Sequence, residues 1–291
     1  MIARELIRKV RKIQIRTSHV VDDLLSGGWH SAFKGRGIEF EEVRPYHSGD
    51  DVRSIDWNVT ARAGEPFIKL FREERELTVI LLVDASASLQ FGSQDQTKQD
   101  LVTELAATLA FSAIKNQDKV GLTLFSDRVE STLPPRKGVN DVLRLIRALV
   151  LHRPSGRGTN LTMALEHLNR TVKRKSVVFL LSDFQDTGYD KPLRLASKRH
   201  DLVPIVVADR REREMPSVGL LPIRDSETGS FRWLDTSNRV HRALFTRAIA
   251  EKNLRRDTLF RKLGIRAIYL STGEDYVEPL QRFFRMRERS K

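Results

Sequence analysis

The chain of 291 residues, 40% hydrophobic and 31% charged, is long enough to bury a sizeable core and too apolar for a disordered polypeptide. It contains no cysteine, which excludes disulfides, thiolate zinc sites, iron–sulfur clusters and cysteine nucleophiles, and favours a reducing compartment. No apolar run approaches the ~20 residues needed to cross a bilayer, and charges spread from Arg4 to Arg16 leave no signal-peptide core, so the expected location is cytoplasmic.

The net charge of +13 is unevenly placed. Residues 1–76 are nearly balanced, with 14 Lys/Arg against 13 Asp/Glu, whereas residues 239–291 carry 14 against 6. A basic segment of this kind can attract nucleic acid, anionic lipid or an acidic protein. No interleaving of aromatic and basic residues accompanies it, which favours a solvated Arg-rich face over specific nucleic-acid binding.

Residues 1–25 read as a helix with Ile2, Leu6, Val10 and Ile13 on one face, ringed by arginines and lysines and stopped by Gly27 and Gly28. Docking on the domain is the expected use of that stripe, and peripheral membrane contact is the alternative. Residues 35–71 are poor in apolar side chains and dense in turn signals. Their carboxylates and arginines alternate closely: Glu39, Glu41, Glu42, Arg44, Asp50, Asp51, Arg53, Asp56 and Arg62. An irregular subdomain held by Arg–carboxylate pairs is expected there, with Tyr46 and Trp57 as packing anchors and no catalytic pair.

From residue 77 the texture changes to strands alternating with helices. Residues 77–83 are an almost unbroken apolar run, rich in β-branched side chains and too short for a membrane helix, which fits a strand buried on both faces. Leu101, Leu105 and Leu109 mark a helix over 100–115; a strand follows at 119–125, and a shorter one at 128–133 is closed by Pro134-Pro135. Asn140 is placed to cap a helix burying Val142, Leu145, Ile146 and Leu149. Another helical stripe comprises Leu161, Leu165, Leu168 and Val172, and the apolar strand at 176–181 runs into Asp183. A short helix at 192–200 has Pro192 in its first turn, and a strand follows at 202–207. A β-hairpin insertion spans about 217–235; a basic helix from Val240 is closed by Gly264, a last strand covers 265–270, and an amphipathic helix from about 275 carries Leu280, Phe283 and Phe284. The pattern predicts an α/β fold, a Rossmann-like doubly wound, mostly parallel sheet with helices on both faces. The expected parts are an N-terminal region, 1–76, of helix plus irregular and β structure, the α/β domain at 77–273, and a C-terminal helix at 274–291.

In such sheets ligands gather beyond the carboxyl ends of the strands. Asp84, Ser86 and Ser88 follow one apolar strand, Asp183 follows another, and the glycine-containing loop 155–160 offers Thr159 just ahead of a helix. That loop lacks the Gly-Lys-Ser/Thr ending of a nucleotide phosphate loop, which argues against ATP. Five oxygen donors from three loops suit a hard cation, chiefly Mg2+, with Mn2+ or Ca2+ as alternatives. A site rich in neutral hydroxyls leaves the ion short of negative charge, so an Asp or Glu from another protein would complete it.

Asp84-x-Ser86-x-Ser88, Thr159 and Asp183 resemble, in order, the metal-ion-dependent adhesion site of von Willebrand factor type A domains. Upstream, the segment from Glu39 to Trp57, E-F-x-x-V-R-x-Y-x-x-G-D-D-x-R-x-I-D-W, resembles the hallmark of the bacterial family called domain of unknown function 58, which sets this segment ahead of a type A domain. Two departures stand out: many relatives carry N-terminal membrane helices that this chain lacks, and Phe184 stands where many type A domains have glycine. The resemblance implies a non-catalytic, divalent-metal-dependent adaptor that works with an AAA+ ATPase of the MoxR type in remodelling or maturing a client protein. An enzyme, such as a Mg2+-dependent phosphohydrolase using Asp84, is the alternative, but the seven histidines are scattered and no general base stands at a recognisable spacing. Charge-only binding of nucleic acid or anionic lipid is the third reading, distinguished by salt sensitivity and indifference to EDTA.

Overall fold

The structure, a computed structural model, describes residues 13, 17, 20, 21, 32, 33, 38–73, 76–93, 95–156, 158–224 and 230–289. The N-terminal helix expected over 1–25 and the hairpin turn at 225–229 therefore lie wholly or mostly outside the described residues. The chain forms two compact units, Phe33–Leu77 and the remainder, Met1–Ala32 with Thr78–Lys291.

In the smaller unit, β1 (Ile38–Pro45) pairs antiparallel with β2 (Phe67–Glu73), with a bulge between Phe40 and Glu42. Between them come a short 3-10 turn at Val52–Ser54 and helix α1 (Trp57–Ala63). Few apolar residues are available, so carboxylates do the holding. Asp50 takes both prongs of Arg44 at 2.8 and 2.9 Å, and Asp51 accepts from the Arg53 amide at 2.9 Å. Asp56 caps α1 through the Asn58 and Val59 amides at 3.0 and 3.3 Å and lies 3.3 Å from the Lys69 ammonium. Gly64, at φ 79°, ends the helix in the left-handed conformation that favours glycine. Of the expected Arg–carboxylate pairs Arg44–Asp50 is present, but the expected anchors are not: Trp57 is 68% exposed and Tyr46 only half-buried, and the buried apolar residues among those described are Phe33 and Ile68. Asp50, Asp51 and Asp56 of this segment are thus helix caps and ion-pair partners.

The larger unit runs β3 (Thr78–Asp84), α2 (Lys98–Lys115), β4 (Lys119–Phe125), β5 (Val129–Arg136), α3 (Val139–Leu151), α4 (Leu161–Thr171), β6 (Val177–Ser182), α5 (Asp190–Arg199), β7 (Asp201–Ala208), the single turn α6 (Arg210–Arg213), β8 (Leu220–Arg224), β9 (Phe231–Asp235), α7 (Arg239–Lys262), β10 (Ile268–Ser271) and α8 (Val277–Arg289). Six strands form one sheet in the order β10-β7-β6-β3-β4-β5, parallel except for the antiparallel β4–β5 edge. This is the doubly wound, mostly parallel α/β fold expected of a type A-like domain. β8 and β9 make a separate antiparallel hairpin, whose Leu220, Phe231 and Trp233 are exposed.

The apolar run at the front of the domain becomes β3, buried along nearly its whole length because neighbours flank it on both sides and helices cover both faces. Ile80 and Leu82 pack with α4, α5 and Phe260 of α7, while the pleat turns Val79, Leu81 and Val83 to the opposite face. The chain leaves β3 toward β4 on one side and leaves β6 toward β7 on the other. Where these paths diverge, between the ends of the adjacent parallel strands β3 and β6, lies the switch point at which ligands gather in the crevice of such sheets.

Two local expectations need correction. β5 does not stop at Pro134-Pro135 but continues to Arg136, its register shifting between the pairs Val120/Arg136 and Leu122/Leu133. An edge strand tolerates proline because its outer amides have no strand to meet. A Cβ on Gly121 would sit 3.0 Å from the Pro135 nitrogen and 3.1 Å from the Leu133 carbonyl, so a side chain there would press this edge outward by a few tenths of an ångström. The helix expected to be capped by Asn140 starts at Val139, after Gly138 at φ 104°, and Asn140 lies within its first turn.

Because Asp56 answers two amides at the start of α1, Asp56→Ala should speed hydrogen exchange at Asn58 and Val59 roughly fivefold. Amides of β3 serve as the internal control and should not change.

Candidate metal centre

β3 ends at Asp84, paired in register with Phe125, and β6 ends at Ser182, one residue before Asp183. The divergence of the chain paths therefore brings Asp84 and Asp183 to the mouth of one crevice. Both are buried, at 2% and 3% exposure. Asp84 Oδ1 accepts from the Ser86 amide at 2.9 Å, and its Oδ2 accepts from the Ser182 hydroxyl at 2.6 Å. The Ser86 and Ser88 hydroxyls lie 3.0 Å apart. Burial, aggravated by the nearby Asp183 charge, pushes the Asp84 carboxyl up to about 7, although Ser182 and Ser86 hydrogen bonds work against the shift.

Thr159 reaches the same edge by a different route. Its loop is pinned to the end of β4 by the Asn160 amide, 2.9 Å from the Ser126 carbonyl, and to the loop after β6 by the Leu161 amide, 2.8 Å from Asp186 Oδ2. Glu130 on β5 fastens the loop's other end: one oxygen accepts from the Ser155 and Gly156 amides and the Ser126 hydroxyl at 3.0, 2.9 and 2.6 Å. Burial alone would raise Glu130, but the Ser126 hydroxyl and the two amides outweigh it and hold the carboxyl at about 2. A side chain on Gly156 would collide with Ser126 and Asp127, which explains glycine at that position. The helix cap is Asn160, whose Oδ1 accepts from the Met163 amide at 2.8 Å, so capping does not occupy Thr159. The Thr159 hydroxyl oxygen is buried with no hydrogen-bond partner among the described residues.

The loop carrying Asp183 holds an unusual turn. Phe184 has φ 54°, the left-handed region that glycine adopts freely, and a residue with a Cβ is strained there. Its ring is buried edge-on against Tyr189 and Phe260, with centroids 6.1 and 5.4 Å away, and that packing offsets the strain. The Lys252 ammonium on α7 bonds the Gln185 carbonyl and braces the same loop.

Residue patterns missed the group that faces Asp183. Lys98, the first residue of α2 and fully buried, places its ammonium 2.8 Å from Asp183 Oδ2 and 2.6 Å from Glu212 Oε1 on α6. Burial pulls this lysine down, but the two carboxylates more than compensate, so the ammonium keeps its charge. Asp183 Oδ1 accepts from the Gln185 amide at 3.1 Å. A lysine in a helix's first turn opposes the helix dipole, and that mismatch was the available clue.

The donor set fits a hard divalent ion. Among the described residues no cluster of three or more His, Cys, Asp or Glu is arranged to hold a metal. The fit rests instead on two carboxylates with three hydroxyls, and on two unmet demands: a buried carboxylate short of positive charge and a buried hydroxyl short of a partner. Asp84, Ser86, Ser88 and Asp183 are linked by contacts and charge; Thr159 joins them through its anchored loop and makes no direct bond to the other four.

Residues 42–255 match the family described as "Protein of unknown function DUF58". The chain belongs to the DUF58 family. The uncharacterized protein Rv1480 of Mycobacterium tuberculosis is 30% identical over 288 residues, covering 98% of this chain and 90% of the relative. The uncharacterized protein MAV169 of Mycobacterium avium is 28% identical over 160 residues, covering 54% of this chain and 94% of its own length. Among solved structures, the conserved hypothetical protein BatB from Bacteroides thetaiotaomicron aligns with a TM-score of 0.46 at 16% identity, covering 73% of this chain and 99% of that one. Proximal thread matrix protein 1 from mussel byssus, described with a zinc-occupied MIDAS motif, aligns with a TM-score of 0.34 at 20% identity, covering 46% of this chain and 38% of that one.

Two outcomes follow for this DUF58 protein. Glu130→Gln should lower stability by about 1 kcal/mol and speed amide exchange at Ser155 and Gly156, read by urea denaturation and mass spectrometry. In EDTA, the folded protein keeps the Asp84 proton to a higher pH than the unfolded chain does, so stability should fall as pH rises from about 4 past 7. Asp84→Asn should abolish that fall and melt higher than the wild type at pH 8.

Proposed function

We propose that this DUF58 protein is a metal-dependent adaptor that captures an acidic side chain of a partner protein and performs no catalysis of its own. The observation that carries this reading is the unmatched pair at the crevice: a buried Asp84 lacking counter-charge beside a buried, unpartnered Thr159 hydroxyl. Asp84, Ser86, Ser88 and Thr159 would hold the ion, chiefly Mg2+, with Asp183 behind them. A bound divalent cation would supply a coordination position that an incoming Asp or Glu can fill.

The chain's own part is to hold oxygens still and keep the crevice dry. Ser182 and the Ser86 amide fix the Asp84 carboxylate, and Glu130, Asn160 and Asp186 fix the loop bearing Thr159. The neighbouring carboxylates are all occupied: Asp183 by Lys98 and Gln185, Asp186 by the Leu161 and Thr187 amides, Glu130 by its loop. With Asp84 committed to the ion, this supports binding over hydrolysis, because a general base must be free to take a proton. The partner surface is proposed to be protein, because a carboxylate side chain is the donor that would complete a hard cation's coordination. An AAA+ ATPase of the MoxR type, or the client it works on, is the proposed partner, and the cytoplasm the proposed location.

Mg2+ should raise the melting temperature of the wild type by several degrees at about 100 times its Kd. Ser86→Ala and Asp84→Ala should remove that shift. Pull-down of a co-expressed MoxR-type ATPase should succeed with Mg2+ and fail with EDTA. Capture that survives EDTA and both substitutions, or phosphoester turnover lost on Asp84→Asn, would contradict the adaptor reading.

A further inference from the structure

We propose that Lys98 is a built-in counter-cation that sets the site's affinity for divalent ions, opposing them at Asp183, while Glu212 works in their favour by drawing the ammonium away. The inference rests on the metal-site reading and concerns how that site is tuned.

Three observations carry it. First, Lys98 is fully buried, and its ammonium is gripped by carboxylates from two different elements, the loop after β6 and the turn α6. A buried ammonium is retained only where such partners compensate its lost hydration. Second, it sits on Asp183, the carboxylate beside Asp84, so an ion in the crevice and the ammonium draw on the same negative charge. Like charges that share one carboxylate oppose each other, and in a buried site that opposition is weakly screened. Third, Glu212 is fixed independently of Lys98. Its second oxygen accepts from the Asp209 amide at 3.0 Å, while Asp209 itself accepts from the Ser93 and Thr272 hydroxyls, each at 2.6 Å. The acid that shares Lys98 with Asp183 is therefore part of a fixed frame across the ends of β7 and β10.

Without an ion, Lys98 keeps Asp183 and Asp84 from standing as two uncompensated acids in one crevice, so the fold survives metal-free. The same charge makes metal uptake weaker than the oxygen donors alone would give. Removing Lys98 should separate these effects: the empty site becomes less stable and the ion is held more tightly. Removing the charge of Glu212 should act in the opposite sense on the ion, because the whole ammonium is then left to Asp183.

The test is a Mn2+ titration at pH 8, followed by the paramagnetic resonance signal of free Mn2+, on the wild type, Lys98→Met and Glu212→Gln, with melting temperatures taken in EDTA and in Mn2+. Lys98→Met should bind Mn2+ about tenfold tighter or more, melt lower in EDTA, and regain more with Mn2+ than the wild type does. Glu212→Gln should bind Mn2+ roughly threefold weaker. An unchanged or opposite shift in either folded variant overturns the proposal; if Lys98→Met does not fold, Glu212→Gln decides alone by the sign of its shift. A wild type that takes up no Mn2+ sinks the metal-site reading, and the role of Lys98 with it. Wild-type uptake without the paired shifts sinks the role of Lys98 alone.

Discussion

A carboxylate at the end of a strand buried on both faces is the constraint the rest of this domain answers. β3 is apolar and covered on both faces, and it delivers Asp84 to a buried position where a second buried acid, Asp183, stands nearby. Two hydrogen bonds from Ser86 and Ser182 orient the Asp84 carboxylate without neutralising it. The fold gives the second acid a counter-charge in Lys98, shared with Glu212, and leaves the first without one. That asymmetry is what supports the proposal of a cation at this strand end.

The supporting structure is built from charges on loops more than from apolar packing. Glu130 gathers three donors to hold the Thr159 loop, Asp186 fastens the start of α4, and Asp209 ties Ser93 and Thr272 across neighbouring strand ends. Each acid satisfies amides or hydroxyls that a loop would otherwise bury unpaired. The apolar sheet beneath is rigid, and the ionic frame above it fixes the donors. The Phe33–Leu77 unit applies the same economy, with Asp50, Asp51 and Asp56 doing by hydrogen bonds what its few apolar residues cannot.

Much of this was legible in the chain. Continuous apolar runs ending in Asp84 and before Asp183 announced parallel strands and their ligand-bearing ends, because burial on both faces leaves no polar alternation. The helical stripes around Leu105, Leu145 and Leu165 were equally plain. Local competition hid other features. Asn140 has the chemistry of a cap, but Gly138 starts the helix first; Pro134 and Pro135 read as a stop, but an edge strand accommodates them. Trp57 reads as an anchor by size alone, whereas its helix turns it to solvent. Lys98 left only the clue of its place in a helix's first turn, for a different reason. Its role depends on Glu212, 114 residues away, and on the divergence of chain paths that sets α6 beside Asp183.

The central claim is that oxygens from three loops converge on one cation at the mouth of the β3–β6 crevice. Crystals of the full chain soaked in Mn2+ and measured near the manganese absorption edge test it directly. The account predicts one strong anomalous peak within about 2.5 Å of the Ser86 and Ser88 hydroxyls, with Thr159 turned toward it. A peak only at surface carboxylates, or a crevice with Thr159 facing away from the two serines, would contradict it.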